Sequence, residues 1–231
     1  MNLKGWVRTS FIDYPAHIAT VLFTGGCNFR CPMCHNADLV LRPGELPTLP
    51  DEEVWEFLER RVGLLDGVVI TGGEPTLQSD LASFIRRVRE RGLDVKLDTN
   101  GYRPGVLGAL LDEGLVDYVA MDVKAPPEKY SILSGEAEVD VARVAHSIEL
   151  LRGSGIACEF RTTVVPGLLS DEDVESIARW IAGAEQYVLQ QFRPLGTLDP
   201  ALEAVNPYPP DRLRRMADLA GRWVGRAVVR G

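Results

Sequence analysis

Along the 231 residues, short β-branched runs alternate with longer stretches whose apolar positions recur every three to four residues. Ile18 to Thr24, Gly67 to Thr71, Val95 to Thr99, Val116 to Val123, Ile156 to Val165 and Gln186 to Phe192 read as strands. Amphipathic helices are predicted between them, at Asp51 to Leu65, Leu77 to Arg91, Pro104 to Glu113, Val139 to Arg152 and Asp171 to Ala182. A last one runs from Pro210 to about Arg226. Pro50-Asp51-Glu52-Glu53 and Ser170-Asp171-Glu172-Asp173 supply an N-cap and early carboxylates that suit the helix dipole. Gly92 and Gly114 stand where glycines stop helices.

Strands alternating with helices predict parallel β-α units with right-handed crossovers. A complete barrel takes eight such units in about 250 residues. Six units predict an α/β fold of the incomplete (β/α)6 TIM-like barrel kind, open on one side, as a single domain over 1–231. No linker, low-complexity segment or internal repeat interrupts it. Ligands of such folds sit at the C-terminal ends of the strands, and the unusual residues fall there. Strand ends run into Gly25-Gly26-Cys27, Gly72-Gly73-Glu74-Pro75, Asp98-Thr99-Asn100-Gly101, Asp122-Val123-Lys124, Val165-Pro166-Gly167 and Gln190-Gln191-Phe192-Arg193-Pro194.

Composition narrows the function classes. A formal net charge of −8 argues against bulk attraction to nucleic acid or to an anionic membrane. No run of about 20 apolar residues could span a bilayer. Met1 to Tyr14 lacks the basic-then-apolar order of a signal peptide, which predicts a cytoplasmic protein. His17 and His146 carry no motif, and the glycine loop at Gly72 lacks dinucleotide-binding spacing.

Of the four cysteines, Cys27, Cys31 and Cys34 crowd into one loop, and Cys158 stands alone in an apolar run. Clustered thiols in a reducing compartment point to a metal or redox site rather than to disulfides. The C-x3-C-x2-C spacing offers three soft ligands to an iron–sulfur cube and leaves its fourth iron open. An open iron can chelate the amino and carboxylate groups of a methionine moiety. Three other chemistries use the same residues. Cys31-Pro32-Met33-Cys34-His35 matches haem attachment but leaves Cys27 idle; Cys27, Cys31, Cys34 and His35 could hold zinc; Cys31 and Cys34 could form a redox dithiol.

The cysteine loop together with Gly72-Gly73-Glu74-Pro75 resembles the two signature motifs of the radical S-adenosylmethionine (SAM) superfamily. Ser10-Phe11-Ile12-Asp13-Tyr14-Pro15, Cys31-Pro32-Met33-Cys34-His35-Asn36, Leu97-Asp98-Thr99-Asn100-Gly101, Asp122-Val123-Lys124 and Val165-Pro166-Gly167 extend the resemblance to the glycyl-radical-enzyme activases. Thr24 to Arg30 and Gln190 to Pro194 are similar to the branch that activates anaerobic ribonucleoside-triphosphate reductase. Members usually carry an aromatic residue before the third cysteine, where this chain has Met33. It also lacks a ferredoxin-like insertion, which implies a single cluster on the loop 25–36.

The resemblance implies roles. Cys27, Cys31 and Cys34 would hold the [4Fe–4S] cluster. Gly72, Gly73 and Glu74 would meet the amino group of the cofactor, Lys124 and Arg161 its carboxylate, and Met33 its adenine. Asp98 would meet the ribose, or join Thr99 and Asp122 around a small monovalent cation. His35 and Gln191, with Arg193, belong to the cofactor or substrate side. The implied reaction takes an electron from flavodoxin or ferredoxin, splits SAM to a 5′-deoxyadenosyl radical, and removes a Cα hydrogen from a glycine of a partner enzyme. The resemblance leaves two alternatives: a radical SAM enzyme for a small molecule, similar to 7-carboxy-7-deazaguanine synthase, and a non-enzymatic iron–sulfur or zinc protein.

Overall fold

The computed structural model describes all residues, Met1–Gly231, which divide into two compact units. The first comprises Met1–Asn28, Asp38–Thr99 and Gly105–Val119. It holds strand β1 (Leu3–Ser10), β2 (Ala19–Thr24), most of helix α1 (Ala37–Leu41), α2 (Asp51–Arg60), β3 (Gly67–Gly72), α3 (Leu81–Arg89), β4 (Asp94–Thr99) and α4 (Pro104–Asp112). β1 pairs antiparallel with β2; β2 pairs parallel with β3, and β3 with β4. Val68, Val69 and Ile70 are buried along β3, as expected for a strand covered on both faces. Ile85 and Val88 of α3 and Leu58 of α2 are buried as well.

The second unit comprises Phe29–Ala37, Asn100–Pro104 and Ala120–Gly231. β5 (Tyr118–Asp122) enters it, followed by α5 (Tyr130–Ser134), α6 (Val141–Ser154), β6 (Ala157–Val164), α7 (Asp171–Trp180), β7 (Gln186–Gln191), α8 (Pro210–Ala220) and β8 (Arg226–Arg230). β6, β7 and β8 pair in parallel. The fold is thus α/β with mainly parallel strands, and each of the six predicted strands is present as β2 to β7 within two residues of its expected ends.

Two strands lie outside that expectation. β1 carries Lys4, Gly5, Arg8 and Ser10 and is half-exposed along its length, so it has little apolar alternation to read. β8 occupies the tail of the predicted final helix, because α8 stops at Ala220 and the chain turns through Gly221 and Gly225. Helix caps divide in the same way. Ser170 forms the expected capping box with Asp173. The N-cap of α2 is Pro50, with no capping side chain, and Asp51 instead accepts from the chain's amino terminus at 3.1 Å.

A turn beside β2 stores strain. His17 N donates to Tyr14 O at 3.2 Å across Pro15-Ala16, and Ala16 takes φ 61°. A left-handed residue with a Cβ costs about 1–2 kcal/mol. Ala16→Gly is therefore expected to raise unfolding stability by about 1 kcal/mol; a denaturant midpoint equal to or below that of the parent would contradict this.

Candidate cofactor site

In the first unit, the ends of β2 and β3 bring two glycine segments against one another. Gly73 N donates to Thr24 O at 2.9 Å, and Glu74 N to Gly26 O at 2.8 Å. A Cβ on Gly73 would stand 2.0 Å from Gly26 O, and one on Gly72 would stand 2.3 Å from Thr24 N, at φ 121°. Only glycine permits this approach. Gly73→Ala must shift the backbone that precedes Cys27, and is expected to weaken SAM binding by at least about tenfold, or 1.4 kcal/mol. Calorimetric titration checks it; a parent-like Kd would show that the close approach is dispensable.

Glu74 is buried after that turn, and its Oε1 is the hub of a small network. It accepts from Thr76 N at 3.1 Å, Thr76 Oγ1 at 2.5 Å and Thr99 Oγ1 at 2.7 Å. Donors converging on one oxygen hold the carboxylate in one orientation. Thr99 thereby sits on Glu74, while its neighbour Asp98 accepts from Lys96 Nζ. Lys96 escaped the sequence reading, although Lys96-x-Asp98 on a strand was the available signal.

In the second unit the cysteine loop is pinned by backbone. Cys34 N donates to Cys31 O at 3.0 Å, Leu198 N to Cys34 O at 2.9 Å, Asp199 N to Pro32 O at 2.9 Å and Arg30 N to Ser134 O at 2.7 Å. Cys31 and Met33 are buried. His35 Nε2 is 2.9 Å from Arg193 O; since a carbonyl only accepts, that nitrogen carries its proton. Gln191 Nε2 donates to Tyr208 O at 3.3 Å.

Asp122, Lys124 and Arg161 come together here. Asp122 Oδ1 accepts from Arg161 Nε at 2.7 Å and Oδ2 from Lys124 Nζ at 2.9 Å. Burial alone would raise the carboxyl of Asp122, but Arg161 and Lys124 outweigh it and hold the group well below the usual carboxylate range. Burial likewise opposes charge on Lys124, and Asp122 outweighs it, keeping the ammonium above its usual range. Burial pushes the Cys31 thiol up to about 11, with the charge of Lys124 pulling the other way. Behind them, Tyr187 Oη donates to Thr162 Oγ1 at 2.8 Å, and Thr162 Oγ1 to Val123 O at 2.7 Å. This buried chain fixes the peptide between Asp122 and Lys124.

Nε2 of His35 is committed to a carbonyl and is not turned to the cysteines as a fourth ligand. The four cysteines are all free of disulfides. No helix is long and apolar enough to cross a membrane.

Solved structures share the fold. Streptococcus suis SuiB bound to its precursor peptide SuiA superposes with a TM-score of 0.69 at 15% identity, over 91% of this chain. The match takes in 48% of the SuiB chain, so this chain spans about half of that protein. The likeness shows the fold, α/β with mainly parallel strands. Sequence relatives cover far more of their own length. The Methanocaldococcus jannaschii protein MJ1227, named as a glycyl-radical enzyme activating enzyme, is 34% identical over 99% of this chain and 95% of its own. The pyruvate formate-lyase-activating enzyme of Clostridium pasteurianum is 29% identical over 81% of this chain and 79% of its own. The profile of the radical SAM superfamily matches residues 21–181. This chain belongs to the radical SAM superfamily. It is an enzyme, and its cofactors are the [4Fe–4S] cluster and SAM of that superfamily.

The residues present fit those groups. Three thiols free of disulfides on one backbone-pinned loop are a soft donor set for iron. The glycine approach at Gly26 and Gly73 leaves backbone, not side chain, beside the first of them.

Proposed function

We propose that this enzyme is an activase that generates a glycyl radical on a partner protein, with anaerobic ribonucleoside-triphosphate reductase as the partner. The observation that carries the reading is the end-to-end match to a named glycyl-radical enzyme activating enzyme, 34% identical over 99% of this chain. Both compact units would serve one functional domain over 1–231, in the cytoplasm, with flavodoxin or ferredoxin as the electron donor.

In this reading Cys27, Cys31 and Cys34 hold the cluster. Bound there, the cluster would supply the single electron for reductive cleavage of SAM. The protein's own part is orientation and exclusion of water. Glu74, fixed by Thr76 and Thr99, receives the amino group presented at Gly72 and Gly73. Lys124 and Arg161 are a cationic pair that shares Asp122 as counter-ion, and their surplus positive charge would attract the cofactor carboxylate. Met33 would offer the adenine an apolar contact, and His35 and Gln191 are tethered to the backbone carbonyls of Arg193 and Tyr208. The glycine of the partner gives up one Cα hydrogen atom, so 5′-deoxyadenosine forms as the glycyl radical appears.

The test is anaerobic incubation of the reconstituted enzyme with SAM, dithionite and the anaerobic reductase of the same genome. A glycyl radical doublet in the EPR spectrum, formed with stoichiometric 5′-deoxyadenosine, is expected. Cofactor cleavage without a radical on that reductase, but with one on another glycyl radical enzyme, would replace the named partner. Turnover of a small molecule with no protein radical would overturn the activase reading.

A further inference from the structure

Lys96 is a buried lysine that no step above uses. It lies on β4 with its side chain 3% exposed, bonded to Asp98 Oδ1. Residues two apart on a strand face the same way, so the ammonium reaches along the strand toward its C-terminal end. The Tyr118 ring lies 5.9 Å from Nζ and offers its face to the charge. Where β5 ends the order is reversed, with Asp122 bonded to Lys124 just beyond the strand.

The resemblance placed Asp98, Thr99 and Asp122 around a small monovalent cation. The structure gives each another occupant. Asp98 carries the ammonium of Lys96, Thr99 donates its hydroxyl proton to Glu74, and Asp122 carries Lys124 and Arg161. A hard cation needs oxygen ligands with negative charge to offer. Each carboxylate is thus already matched by at least one protein cation, and an alkali ion at either would have to compete with it.

We propose that Lys96 is itself the cation at Asp98: its ammonium stands where a metal ion would, and the enzyme binds SAM with no sodium or potassium requirement. Lys96 is a positioning residue, holding Asp98 in place. The inference rests on the SAM site alone and is independent of which substrate the radical meets.

The experiment uses the reconstituted enzyme stripped of alkali metals in tetramethylammonium buffer, titrated with NaCl or KCl at constant ionic strength. Two readouts are taken: the Kd for SAM, and the thermal midpoint of the cluster-free chain. An ion coupled to cofactor binding would change Kd by about 5- to 150-fold. The parent is expected to change by less than about twofold, with an unmoved midpoint. Lys96→Met removes the ammonium from Asp98 and is expected to bind SAM more weakly, with sodium or potassium restoring both affinity and midpoint. The double variant Lys96→Met, Asp98→Asn removes both charges and is expected to show no alkali dependence. A parent Kd that tightens more than about fivefold with either ion would overturn the proposal, and so would a Lys96→Met enzyme with parent-like affinity and no ion response. Should Lys96→Met fail to fold, the parent titration decides alone. Neither readout involves a partner protein, so loss of the activase reading would leave the result standing.

Discussion

Replacing Cys31 with alanine is expected to abolish cluster assembly and, with it, SAM cleavage by at least about a thousandfold, or about 4 kcal/mol of barrier. Cys31 is the buried member of the three loop thiols. Its raised thiol stays protonated in the metal-free chain, so iron binding must displace that proton. Removing the side chain takes away one of three corners of the cube and leaves a site that cannot hold it. Cys158→Ser is the matched control. Cys158 lies at the start of β6, a full strand length from the end that carries Val165 and Pro166. Iron and sulfide content after anaerobic reconstitution separates the two: empty for Cys31→Ala, parent-like for Cys158→Ser. A full cluster in Cys31→Ala would remove this loop from the account.

The second large effect falls on stability. Asp122→Asn leaves Lys124 and Arg161 facing each other without their anion. A fully buried pair broken on one side costs about 3–5 kcal/mol, and an exposed pair less than about 1. Asp122 is 25% exposed at its side chain, so a loss of about 2–4 kcal/mol is expected in denaturant unfolding. The pH dependence has a definite sign. The carboxyl of Asp122 is held below its unfolded value, so its contribution is complete above the ordinary carboxylate range near pH 4 and fades as pH falls through the lower folded value. The gap between parent and variant should therefore be constant from about pH 5 to 8 and narrow in acid. A gap that widens on acidification would contradict the assignment of charge.

The parallel strands were legible because burial on both faces demands near-continuous apolar runs, as in Val68-Val69-Ile70. β1 and β8 were not, because β1 is half-exposed and β8 follows a helix whose apolar period carries smoothly across Gly221. The cysteine spacing and the Gly72-Gly73-Glu74 loop were legible as chemistry, since few structural roles need three thiols in eight positions or two adjacent glycines at a strand end. The partners of the charged residues were not. Asp51 looks like a cap in sequence but binds the amino terminus 50 residues away. Lys96 looks like a solvent-facing lysine in a strand; only the fold reveals that it is buried against Asp98. Such pairings depend on which face of a strand turns inward, and a one-residue change of register would reverse them.

If Cys27, Cys31 and Cys34 hold a cluster with one iron open to SAM, EPR of the anaerobically reconstituted, reduced protein must respond to the cofactor. A [4Fe–4S]⁺ signal that changes shape when SAM is added, with 5′-deoxyadenosine formed, is the result expected. Bound zinc with no such signal, or a cluster whose spectrum ignores the cofactor, would contradict the account.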